Sequence, residues 1–325
     1  MKHSLLMLLL IAAISSVAQA VDYTWDGTTD LTWEGANWDN GVAGQIAIES
    51  DGLSPSAPSY DYVGDNFIIN NSNAVTASER ITFDGGGLSV IGSGLTVTST
   101  GNFSAMNLGH ANTTGVATQV LFQNSTVSVS GSGGAGRAIR LQNSAVLTLD
   151  GGVTTIENSG NNPFLEVEAG TKVIMQNDAV LNLPVLRIDG QASSEFQFFS
   201  GSITLDGFTN SLRGDGFQGA FNWLGNPGEG TLTQVINTTT NQALAFKTGQ
   251  GFFSIDGVRV NPVLDYDGTN LAAFNAELLS LAVNGKYLNI VANPDGSQTL
   301  SLLVPEPMTL SLLGLGGLAI LRRRQ

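Results

Sequence analysis

The sequence has no cysteine and only two histidines, His3 and His110, in 325 residues. Without thiols it can build no disulfide framework, thiolate metal site or cysteine nucleophile, so stability outside a cell must come from packing and backbone pairing. Charge is scarce too, with 12% of residues charged against about a quarter in ordinary soluble domains. Basic residues are the rarer sign, 13 against 27 acidic, for a formal charge of −14. Neutralising phosphates needs clustered Lys and Arg, so nucleic acid is excluded as a partner. Between residues 21 and 303 there is no long run of helical periodicity. What fills the chain is glycine, 40 residues of it, interleaved with short β-prone segments.

Both ends read as addresses. Lys2 precedes a 13-residue run, Leu5 to Val17, that is apolar except for Ser15 and Ser16. Ala18-Gln19-Ala20 then supplies the small-x-small pattern of a signal peptidase site, which predicts a signal peptide over residues 1–20 and cleavage after Ala20. The run is shorter than the roughly 20 residues that span a bilayer. At the other end Val304-Pro305-Glu306-Pro307 leads into fourteen mostly apolar residues, Met308 to Leu321, and then Arg322, Arg323 and Arg324. The prolines pre-set a helix start. Glu306 and the arginines each sit where the helix dipole favours their sign. Fourteen helical residues span roughly 21 Å, a short transmembrane helix, with the arginines as a cytoplasmic stop.

A Pro-Glu-Pro motif, a short Gly/Leu-rich helix and a terminal Arg cluster resemble the PEP-CTERM protein-sorting domain, over residues 304–325. The same tail is also catalogued as an ice-binding-protein C-terminal domain, a label that implies no ice chemistry. The resemblance implies that an exosortase recognises Pro305, Glu306 and Pro307, cleaves near them, and passes the protein from the inner membrane to the cell surface or an exopolysaccharide matrix. A plain C-terminal tail anchor would need only apolar residues and basic flanks.

The body reads as strands. Gly94-Leu95-Thr96-Val97-Thr98, Ser125-Thr126-Val127-Ser128-Val129, Ala145-Val146-Leu147-Thr148-Leu149 and Ser202-Ile203-Thr204-Leu205 alternate aliphatic and small polar residues, the pattern of half-buried strands. Phe122-Gln123-Asn124-Ser125, Leu141-Gln142-Asn143-Ser144 and Met175-Gln176-Asn177-Asp178 repeat imperfectly at offsets of 19 and 34, and Val180 matches Ile203 at 23. Repeats of about 20 residues predict a right-handed parallel β-helix over residues 75–210, with an antiparallel meander or sandwich as the competing arrangement.

Ahead of it, residues 21–74 hold Trp25, Trp33 and Trp38 in Trp-x-Gly and Asn-Trp contexts that loosely resemble autotransporter-associated β-solenoid repeat proteins. These indoles read either as a cap on the open end of the solenoid or as an aromatic strip of a carbohydrate-binding module. Residues 211–303, denser in Phe, read as a further β-rich unit or as a continuation of the solenoid. Within it the sequence predicts a short helix at Leu271 to Leu281 and a hairpin of Tyr287 to Ala292 with Gln298 to Val304, turning at Asn293-Pro294-Asp295-Gly296.

Chemistry is sparse. His110 has no Gly-x-Ser-x-Gly elbow beside it, and one histidine without cysteine makes transition-metal sites unpromising. Carboxylates remain, since glycoside hydrolases need only an acid and a base. By type the candidates are Asp61, Asp65, Glu166, Glu168, Asp189, Glu195, Asp206 and Asp215. Asp150, Asp189, Asp206 and Asp215 each precede glycine and read as turn residues. Glu166 and Glu168 alternate with Leu165 and Val167, which puts both on one strand face about 7 Å apart. Asp265-Tyr266-Asp267-Gly268-Thr269-Asn270 is half of a calcium-loop pattern without its distant Glu. The glycine runs at 85–87 and 131–136 do not have phosphate-loop spacing.

No catalytic, cofactor or metal residue is singled out. The expectation is an all-β exported surface or matrix protein with a structural or adhesive role. A secreted polysaccharide lyase or hydrolase, and a carbohydrate-binding module, are the alternatives. Residues 21–304 carry 9 basic and 26 acidic side chains, a surface that stays soluble and attracts cations in an exopolysaccharide.

Overall fold

The computed structural model describes residues 21–27, 30–35, 37–40, 59–99, 104–111, 114–131, 137–157, 164–189, 193–206, 212–215, 221–234, 253–264, 266 and 270–305. For Ser59, Tyr60, Asp61, Asp189 and residues 212–215 only the backbone is described. The described chain is mostly β, with strands in an eighteen-stranded and a seven-stranded sheet and one short helix, α1 (Leu271–Ser280).

Pairing is predominantly parallel, and it falls into three ladders. The first runs through Asn66–Ile69, Gly87–Ile91, the start of Gln119–Gly131, the start of Val146–Ile156, Lys172–Gln176, Glu195–Phe198, Phe221–Trp223 and Phe253–Ile255. The second takes Ala74–Ala77, Gly94–Ser99, the ends of the same two long strands, Val180–Leu183, Gly201–Leu205 and Gly230–Gln234. The seven-stranded sheet is the third, from Ser59–Val63 to Leu212–Asp215. Each pass of the chain adds one strand to each ladder. After the first pairing, partners lie between 20 residues apart (Ala74 and Gly94) and 33 apart (Met106 and Ile139).

Alternation drives this arrangement. Every second side chain points inward, and parallel register stacks like on like. Phe67, Leu88, Val120, Leu147, Val173, Phe196, Phe221 and Phe253 form one such column, none more than 2% exposed. In this column aliphatic residues fill the middle passes and aromatics the ends, where Tyr23 stacks on Phe67 at 4.9 Å and Phe196 on Phe221 at 5.0 Å. Burying each such side chain contributes about 1.5–3 kcal/mol.

The corners explain the repeated Gln-Asn motif. Asn124, Asn143 and Asn177 all adopt positive φ (47°, 49° and 53°), a conformation that Asn tolerates better than most residues. Gln123, Asp150 and Gln176 share one register column, so Asn124 and Asn177 mark the same corner two passes apart. Asn143 belongs to a different corner, at the end of Arg137–Leu141 in the seven-stranded sheet. The offset of 19 therefore measures corner to corner within a pass, not pass to pass. Ile203 pairs with Leu181 rather than with Val180, which pairs with Ser202. Parallel pairing also extends beyond residues 75–210, since Asp22–Trp25 pairs with Asn66–Ile69 and Phe221–Trp223 with Phe253–Ile255. The antiparallel meander is not the arrangement of the body.

Among the described residues, antiparallel pairing is confined to the ends. Trp38–Asp39 covers Asp22–Trp25, and Leu31 to Trp33 hydrogen-bonds to Thr76. At the far end Phe253–Ile255 folds back on Val258–Arg259. Gly230–Gln234 accepts the hairpin of Gln298–Leu303 and Tyr287–Ala292, and α1 packs on the latter. The helix lies where the helical spacing of Leu271, Phe274 and Leu278 places it, and the hairpin where the Asn-Pro-Asp-Gly turn does.

Candidate functional site

Among the sequence candidates whose side chains are described, Glu166 is the most enclosed carboxylate. It sits mid-strand in Phe164–Val167 on the face of the seven-stranded sheet opposite Leu165 and Val167, and it is 1% exposed. Its register partners are Arg140 on one side and Arg187 on the other. A bulge between Arg137 and Ile139 turns a second guanidinium of that strand onto the same carboxylate. Arg187 Nη1 lies 3.1 Å from Oε1, Arg140 Nε lies 3.4 Å from Oε2, and Arg137 closes on Oε2 as well. Glu168 bonds Arg140 Nε at 2.5 Å and accepts from Gln142 Nε2 at 3.1 Å.

The column continues in register as Asp61, Thr82, Asn107, Arg140, Glu166, Arg187 and Arg213. With Arg80 and Arg137 the sheet holds five of the six arginines between residues 21 and 304. Burial pushes the Glu166 carboxyl above its ordinary range. The charge of Glu168 also raises it, while Arg137, Arg187 and Arg140 pull it down. Guanidiniums lie within ion-pair distance of both oxygens and the side chain is buried, so Glu166 links three successive passes and is closed off from a substrate. Sequence reading found the two glutamates through their alternation but missed Arg137, Arg140 and Arg187, which come from neighbouring passes.

The remaining candidates are dispersed. Asp65 is 9% exposed and accepts from the Val21 backbone N–H. Asp150 accepts from Gln123 Nε2 at 2.7 Å and from Asn177 Nδ2, and so joins three passes at one corner. Glu195 accepts from Gln197 and Asn222, both at 2.8 Å, with Lys172 Nζ at 3.8 Å. Asp206 is exposed, and the backbones of Asp189 and Asp215 are register partners. The backbone carbonyl of His110 accepts from Asn143 at 2.8 Å. Among the described residues no group of three His, Asp or Glu is placed to hold a metal. Of the half calcium loop, Tyr266 is buried, stacks on Phe274 and accepts from Gln298 Nε2 at 2.8 Å, while 265 and 267–269 lie outside the described residues.

The three N-terminal tryptophans are core. Trp25, Trp33 and Trp38 are 2%, 1% and 0% exposed. Trp38 packs edge-on against Trp25 and Trp33 at 5.0 and 4.8 Å, and Trp33 Nε1 donates to Tyr62 Oη at 2.8 Å. They form no exposed strip for sugar rings.

One solvent-accessible face is regular. The outward column of the second ladder reads Thr76, Thr96, Ser128, Thr155, Asn182, Thr204 and Thr233, and it continues to Thr299 of the antiparallel hairpin. Every one of these side chains is exposed or half-buried and none is charged. Neighbouring strands lie about 4.8 Å apart, so the polar groups recur at that interval along the stack. Thr233 Oγ1 and Thr299 Oγ1 hydrogen-bond at 2.9 Å.

At the C-terminal boundary Pro305 is exposed, directly after the strand Gln298–Leu303 and Val304. Glu306, Pro307, the apolar tail, Arg322, Arg323 and Arg324, and Ala18 and Ala20 of the signal site lie outside the described residues. Among the described residues no helix is long and apolar enough to cross a membrane. No family model, curated protein or solved structure matches the chain.

Proposed function

We propose that this is an exported cell-surface or exopolysaccharide-matrix protein with a structural or adhesive role, whose body is a right-handed parallel β-solenoid closed at both ends. The observation that carries the reading is the uncharged column from Thr76 to Thr299, eight side chains long and accessible throughout. A periodic hydroxyl and amide face suits contact with a repetitive hydroxylated partner such as an exopolysaccharide or another surface carbohydrate. The remaining charge, strongly negative, keeps the molecule soluble.

Delivery follows from the ends. The signal peptide exports the chain, and the tail holds it transiently in the inner membrane. An exosortase then recognises Pro305, Glu306 and Pro307 and releases a folded body, since the last strand ends at Leu303. The enzyme and carbohydrate-module readings lose ground, because Glu166 is enclosed by guanidiniums and the N-terminal indoles are interior.

Fractionation and intact mass of the native protein, in hosts with and without the sorting protease, test delivery. The expected mature species ends near Pro305 to Pro307 and leaves the membrane only when the protease is present; persistence of Arg322 to Arg324 in both hosts would make the tail an ordinary anchor. Co-sedimentation with isolated exopolysaccharide tests the face, and Thr155→Lys with Thr204→Lys should abolish it. Unchanged co-sedimentation would reject the face.

A further inference from the structure

Val21 is the first described residue of the fold, and both of its backbone groups are held. Its N–H donates to Asp65 Oδ1 at 2.9 Å, and its C=O accepts from the Asn66 N–H at 2.9 Å. Asp65 is 9% exposed, and its own carbonyl accepts from the Gly87 N–H at 2.9 Å, which ties this corner to the next pass. Val21 packs against the core, so the nitrogen is fixed on both sides.

The corner is poorly balanced in charge. Burial pushes the Asp65 carboxyl above its ordinary value, the Val21 N–H pulls it down, and the negative Asp22 raises it again. Asp22 itself accepts from Asn66 Nδ2 at 2.8 Å. None of the ion pairs among the described residues reaches either carboxylate. A buried carboxylate without a counter-ion is strongly disfavoured.

Val21 is also the residue that follows Ala18-Gln19-Ala20. Hydrolysis of the Ala20–Val21 peptide bond adds one water across it: the carbonyl carbon of Ala20 keeps the hydroxyl and leaves as a carboxylate, and Val21 N becomes a primary amine. That amine, with an ordinary pKa of about 7.7–8.0, is protonated at neutral pH. We infer that signal-peptide cleavage completes the first corner of the fold, because the new α-ammonium of Val21 is the counter-ion that buried Asp65 needs. The uncleaved chain makes the hydrogen bond at this position but not the ion pair, and a chain cut one residue earlier or later puts the charge elsewhere. The inference rests on the cleavage reading and adds a structural role to it.

The test uses the full chain processed in an exporting host. Intact mass identifies the N-terminal residue, and the α-amino pKa is read from the pH dependence of α-amine acetylation. A start at Val21 is expected, with a pKa raised by about one unit or more above the ordinary range, a tenfold or greater shift in protonation. Asp65→Asn should return the pKa to that range, and so should a single alanine inserted between Ala20 and Val21. An ordinary pKa in the wild-type chain, or an equal rise in both variants, overturns the ion pair. A different N-terminal residue overturns the cleavage reading instead, and a chain made to begin at Val21 from a cleavable fusion then tests the pair separately.

Discussion

Asn275 pairs with Ile290 as a strand residue would. Its side-chain Nδ2 donates to the Ile290 carbonyl at 2.8 Å and its Oδ1 accepts from the Ile290 N–H at 3.0 Å. Tyr287–Ala292 is the outer strand of the C-terminal hairpin, and its free side would otherwise offer unpaired backbone groups to a further strand. The amide of α1 occupies that position.

Asn275→Ala should therefore cost about 1–3 kcal/mol through the two lost hydrogen bonds, and it should promote association through the exposed edge. Urea unfolding and sedimentation velocity check both effects. A variant as stable as the wild type, and no more associated, would show that Asn275 does not guard the edge.

All four tryptophans, Trp25, Trp33, Trp38 and Trp223, are at most 2% exposed. Native fluorescence should be blue-shifted, weakly quenched by acrylamide and unchanged by soluble oligosaccharides. Trp33→Phe keeps the ring packing but loses the bond to Tyr62 Oη, at about 1 kcal/mol, whereas Trp33→Ala should cost about 3–5 kcal/mol. Strong quenching in the native protein would contradict an interior location.

Asn177 combines a positive φ of 53° with a side-chain bond to Asp150. Asn177→Gly should keep the backbone and lose about 1 kcal/mol with the bond. Asn177→Val should lose a further 1–2 kcal/mol or so, because a branched residue resists the left-handed conformation. Equal unfolding midpoints for the two variants would show that backbone conformation is not what selects the residue.

Glu166 titrates upward on folding because burial outweighs its arginines. The native state thus holds this proton more tightly than the unfolded chain, whose Glu value is about 4.3. The resulting contribution to stability is complete below that value and is lost as pH rises through the native one. In Glu166→Gln this component of the pH dependence should vanish, with stability at about pH 4 within roughly 1 kcal/mol of wild type. Urea midpoints measured across about pH 3.5–7.5 check it, and an unchanged slope in the variant would place the titration on another group.

Much of this fold could be read along the chain, for a local reason. Strand alternation at Leu95 to Val97 or Ile203 to Leu205 is set by neighbours two residues apart, and most positive-φ positions among the described residues are Gly or Asn, with Ser144, Asp178 and Asp256 as the others. Register depends on distant partners. Val180 and Ile203 look equivalent in an apolar pattern, yet a one-residue difference decides which side faces in, and Leu181 is the residue that stacks on Ile203. Equivalent motifs at unlike corners, such as Asn124 and Asn143, shortened the apparent repeat for the same reason.

The sites divide along the same line. The alternation of Glu166 and Glu168 was legible. Their enclosure by Arg137, Arg140 and Arg187 was not, since those arginines meet only after three passes are stacked. The Thr76 to Thr299 column likewise spans residues of no fixed spacing and exists only in register. By itself the sequence determined the strand-forming body and the absence of thiols, because each depends on composition or on contiguous residues. Tertiary structure alone decided which tryptophans are interior, which carboxylates are paired and which polar side chains line up, because burial and register arise between residues tens of positions apart.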